Sequence, residues 1–140
     1  MVKSAPRFLL VFASVLLVAG SVQHAMAFNR AVAAVGASNL PAFFGNTLKV
    51  LWLADSTTML LLAAVFGLIA ALPHTASRPV VVLLAFVPAA LAVLIYTFLG
   101  SFFAGHILGV IAAAVCFAGL QFPDRSRNFS PCKDTEDIPS

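Results

Sequence analysis

The sequence predicts an all-α integral membrane protein, an antiparallel four-helix bundle with both termini in the cytoplasm. Three observations predict it. Hydrophobic residues make up 61% of the 140 residues and charged residues only 9%, too few to cover a soluble domain with a polar shell. Four apolar stretches are each long enough, at about 1.5 Å rise per residue, to cross a hydrocarbon core of about 30 Å. The basic residues divide unevenly between the two sides that this layout creates. Lys3, Arg7, Arg78, Arg125, Arg127 and Lys133 fall on the side of the termini, and only Arg30 and Lys49 on the other. That is the positive-inside bias.

The first helix is expected over about residues 8–28, after Lys3 and Arg7. A basic start, an apolar run and Ala25-Met26-Ala27 also fit a signal peptide cleaved after Ala27. The length of the run favours a retained span. Residues 29–46 contain Gly36, Pro41 and Gly45 and read as a connecting loop. A short interfacial helix from Arg30 to Val35 is the other reading of that stretch.

The second helix, about 47–72, ends at Pro73, and residues 74–79 form a polar turn. The third, about 80–99, carries Pro88 in its middle, where a kink is expected and neighbouring helices can absorb the freed carbonyl. Gly100-Ser101 is so short a turn that the third and fourth helices must be antiparallel neighbours. The fourth, about 102–120, stops before Pro123. Residues 1–122 therefore form the membrane domain, and 123–140, with mixed charges and no apolar run, a disordered cytoplasmic tail.

Asp55 is the residue that composition explains least. It sits in VLWLADSTTMLLLAAVFGLIAAL, residues 50–72, where a carboxylate is costly unless it faces protein or water. His24, Tyr96 and His106 fall at about the same depth on the other three helices, within roughly two turns of one another. Thr58 lies three residues from Asp55 and shares its face. Small-residue stripes mark the faces where membrane helices pack. Ala13, Gly20, His24 and Ala27 form one on the first helix, and Ala85, Ala89, Ala92 and Tyr96 one on the third. The fourth carries Gly105 and Gly109 as a GxxxG, extended by Ala113, with His106 at its edge.

The plainest expectation for this polar layer is structural, an Asp55–histidine hydrogen bond holding helices together with Thr58 and Tyr96. Other chemistries use the same residues. His24, Asp55 and His106 have the donor types to bind a metal ion, although no ligand pair has i, i+4 spacing. His24 and His106 also have the placement to ligate one b-type haem. Asp55 with a relaying histidine would serve a proton-coupled transport component, although no inverted repeat is visible.

The chain has no Gly-rich phosphate loop, HExxH, CxxC or serine elbow, and its net charge of +3 is too scattered for a nucleic-acid partner. Cys116 reads as a core residue and Cys132 as a free thiol in the tail.

LWLADSTTMLLLA in the second helix and FFAGHILG at the start of the fourth, with the four-helix layout, resemble small uncharacterised bacterial inner-membrane proteins. The resemblance spans most of residues 8–120. It implies a bacterial inner-membrane location and carries no activity or site. The expected function is that of a non-catalytic accessory or scaffold subunit, binding lipid, a larger membrane protein or a second copy of itself.

Overall fold

The computed structural model describes residues 4–122, and every regular element among them is helical. The order is α1 (Ser4–Met26), α2 (Phe28–Gly36), α3 (Ala42–Ala71), a 3₁₀ turn at Pro73–Thr75, α4 (Arg78–Leu99) and α5 (Phe103–Leu120). Four helices are long and apolar enough to cross a membrane: α1 with its continuation α2, then α3, α4 and α5. The polar tail expected to be disordered lies outside the described residues, as does Cys132.

The stretch read as a loop, 29–46, is mostly helix. Phe28–Gly36 is helical, and α3 begins at Ala42, five residues before the expected start. Pro41 is the N-cap of α3 rather than a loop breaker, since a proline just ahead of a helix forfeits no intrahelical hydrogen bond. Gly45 is buried inside α3, where a Cβ would meet Val35 Cγ1 at 3.0 Å. The missing side chain is what lets α2 fold back against the first turn of α3.

Buried positions recur at helical spacing. On α1 they are Pro6, Leu10, Ala13, Leu17 and Ser21, and on α3 Ser56, Met59, Leu62, Ala63, Phe66, Ile69 and Ala70. The opposite faces expose large apolar residues such as Phe8, Leu61, Phe86 and Phe117, as helices solvated by lipid do. Helix α4 continues through the buried Pro88. Gly100 has φ +71, a conformation that a residue with a side chain rarely adopts, and it turns the chain into α5.

Neighbour relations do not follow chain order. Helix α1 packs along both α3 and α5, and α4 packs along α5, whereas α3 barely touches α4 or α5. Ser14 meets Ala63 and Ser21 meets Ser56, so α1 and α3 run antiparallel. Gly105 lies against Ile95 and Tyr96, and Gly119 against Val81 and Val82, which makes α4 and α5 an antiparallel pair as well. One buried cluster, including Leu10, Phe66, Val81 and Val115, joins the two pairs.

Candidate functional site

Helix α1 turns a line of polar side chains toward α3. Ser14 Oγ donates to the Ala63 carbonyl and Ser21 Oγ to the Ser56 carbonyl, both at 2.8 Å. One turn further, His24 Nδ1 lies 2.8 Å from Ser56 Oγ. Trp52 Nε1 donates to the His24 carbonyl at 2.8 Å, and the His24 and Trp52 rings stack 4.2 Å apart at 11°. Bonds to backbone carbonyls of a neighbouring helix fix register, because a hydroxyl facing lipid would have no other partner.

Asp55 stands beside this cluster. Its Oδ2 is 3.6 Å from His24 Nε2, and the two side chains are 26% (His24) and 33% (Asp55) exposed. Ser56 Oγ also lies 3.2 Å from the Trp52 carbonyl, so its single hydroxyl proton serves either that carbonyl or Nδ1, while Nε2 faces Asp55. The carboxylate accepts no hydrogen bond from the other described residues.

His106 and Tyr96 form a second, separate group. Tyr96 Oη lies 2.7 Å from His106 Nδ1, and Ser101 Oγ lies 3.3 Å from Nε2. All three side chains are exposed, and they tie the α4–α5 turn from outside. The residues expected at one depth thus assemble as two pairs, His24 with Asp55 and Tyr96 with His106. Thr58 joins neither, since it is exposed and donates to the Ala54 carbonyl of its own helix.

Of the packing positions expected on the last helix, Gly105 is buried, but Ala113 is exposed and a Cβ on Gly109 would meet nothing within 4 Å. The buried stripe of α5 runs through Gly105, Leu108, Ala112, Val115 and Gly119 instead. Ser21 and Ser56, which carry the contact between α1 and α3, were not anticipated. Their signal was present: Ser21 continues the stripe of Leu10 and Leu17, and Ser56 that of Met59 and Ala63.

Because α3 barely touches α4 or α5, a cleft of about 420 Å³ opens between them, with α1 behind it. Its walls are apolar, including Leu17, Met59, Ile95, Leu99, Phe103, Ile107 and Ile111. Gln23, His24, Trp52 and Asp55 line one end of it, where α1 finishes, and Asp55 is the one formally charged residue in the lining. His106 is not part of that lining.

This geometry does not gather ligands for a metal ion, since no three His, Cys, Asp or Glu side chains are grouped to hold one among the described residues. Nor does it bring two imidazoles to one cavity for haem, as His24 lines the cleft and His106 does not. What it offers is an apolar slot with a single acidic, hydrogen-bonding end. No family model, curated protein or solved structure matches the chain.

Proposed function

We propose that the chain is a non-catalytic integral membrane protein, an accessory or scaffold subunit that holds a lipid-like amphiphile between its two helix pairs. In this reading the helices form an antiparallel four-helix bundle in a bacterial inner membrane. Both termini are cytoplasmic, which places the polar end of the cleft in the outer leaflet and Arg78 on the cytoplasmic side. The observation that carries the reading is the cleft itself: about 420 Å³, apolar along its length, with hydrogen-bonding groups only at one end. Such a volume lies in the range of small-ligand pockets, about 300–1,000 Å³. An amphiphile has the matching division of polarity. His24 and His106 fit the same reading, because neighbouring side chains hold both rings and no metal-sized group of ligands surrounds either among the described residues.

The test is chemical analysis of protein purified gently in detergent. A stoichiometric amphiphile in the solvent extract, lost when Ala104→Phe fills the cleft from α5, supports the reading. Protein that carries none, and behaves identically when the cleft is filled, sinks it. An absorption spectrum and metal analysis on the same sample address the competing chemistry. A Soret band, or stoichiometric metal abolished by His106→Ala, would replace the scaffold with a redox protein.

A further inference from the structure

We infer that the cleft selects amphiphiles whose head group is a protonated amine, with the Asp55 carboxylate as counter-ion. This deepens the amphiphile-binding reading and rests on it. Asp55 supplies the only formal charge in the lining, and no lysine or arginine lines the cleft. A phosphate or carboxylate head would therefore enter without a cationic partner and meet a like charge. A neutral head would leave the carboxylate as it stands.

The carboxylate as it stands is poorly satisfied. It accepts no hydrogen bond from the described residues, and its one polar neighbour, His24 Nε2, is 3.6 Å away, beyond ordinary hydrogen-bond length. A carboxylate among apolar walls is stabilised chiefly by a cation that also donates hydrogen bonds. The third of the Asp55 side chain that remains exposed leaves room for one. Ser56 and the Trp52 ring hold His24 from two directions, with its Nε2 at that distance from the carboxylate. An ammonium has three donors, so it can bond the carboxylate and keep others for the cleft's remaining polar lining, to which Gln23 belongs. The size of the cleft argues for the rest of the ligand. At about 420 Å³ it suits one hydrocarbon or aromatic body, not a two-chain phospholipid.

Trp52 is the only tryptophan in the chain and lines the cleft, so its emission reports occupancy directly. The experiment titrates dodecylamine, 1-dodecanol and dodecanoate into phosphatidylcholine nanodiscs carrying the full chain. Dodecylamine is expected to shift Trp52 emission saturably, at a mole fraction roughly tenfold lower than dodecanol requires, the ratio expected from one charge-assisted hydrogen bond. Asp55→Asn should remove that preference and Asp55→Glu should keep it, which guards against a variant that merely folds badly. Ala104→Phe should remove saturable binding of every chain.

Equal affinity for amine and alcohol, unaffected at Asp55, would overturn the amine selectivity and leave the amphiphile cleft standing. Tighter binding of dodecanoate would overturn it by sign. The absence of any saturable response, or a response that survives Ala104→Phe, would overturn the cleft reading and this inference together.

Discussion

The two antiparallel helix pairs are held by different physics. Helices α1 and α3 are joined by Ser14, Ser21, His24 and Trp52, each bonded across the interface. Helices α4 and α5 meet through absent side chains: Gly105 lets Ile95 and Tyr96 approach, and Gly119 admits Val81 and Val82. Their one described side-chain hydrogen bond between helices, Tyr96 to His106, is exposed. Lipid tails are as apolar as leucine, so burial of apolar surface gives little drive to helix association, and close packing and polar bonds are the two remaining means. The pair that relies on polar bonds is also the pair that carries the acidic end of the cleft. The other pair supplies apolar wall.

The sharpest way to break this contrast is to fill a packing glycine. At Gly119 a Cβ would lie 2.9 Å from Val82 Cγ2 and 3.1 Å from the Val82 backbone nitrogen. A side-chain methyl can yield, but backbone cannot without separating the helices. Gly119→Leu should therefore destabilise the fold by about 3 kcal/mol or more, read as the shift in denaturant midpoint in detergent. Gly109→Leu, on the same helix but with nothing within 4 Å of its Cβ, should change stability by less than about 0.5 kcal/mol. Equal effects would mean that α5 presents a different face to α4.

On the other pair the corresponding substitution is Ser56→Ala. It removes the partner of His24 Nδ1 and a contact to the Trp52 carbonyl at 3.2 Å. Interhelical hydrogen bonds in membranes average about 0.6 kcal/mol and reach about 1.7. Because a ring nitrogen is left unsatisfied, the loss should lie toward the upper figure, about 1.5 kcal/mol. The His24 ring should also loosen against Trp52, changing the emission of that single tryptophan. Ser21→Ala removes one bond and strands only a carbonyl that keeps its own helical partner, so about 0.6 kcal/mol is expected, with Trp52 emission unchanged.

These effects mark where sequence reasoning stops. The length of the apolar runs makes spans legible, and a glycine between two of them makes the α4–α5 turn legible, because both are properties of one segment. Azimuth is not legible. Residues Asp55 and Ser56 differ by about 100° around α3, and the charged one draws attention while the buried one makes the bonds. Hydropathy likewise says nothing of which helix neighbours which, so His24 and His106, expected in one layer, have different partners. Helix α2 is only the second reading of its stretch, because Gly36, Pro41 and Gly45 read as loop until Val35 is known to need the space at Gly45.

The smallest expected effect tests the contrast from the opposite direction. Tyr96→Phe removes the Oη that lies 2.7 Å from His106 Nδ1, a shorter contact than any of those joining α1 to α3. Geometry alone would rank it first. Exposure reverses the ranking: Tyr96 is 42% exposed and His106 lies one turn into α5, beside the α4–α5 turn. At the end of a span, interfacial water replaces a lost partner, so the cost should be under about 0.5 kcal/mol, below that of Ser21→Ala. The same unfolding measurement decides. A loss of about 1.5 kcal/mol would place Tyr96 and His106 in hydrocarbon, out of reach of water. It would make their bond as much a fastening of α4 to α5 as Ser56 is of α1 to α3.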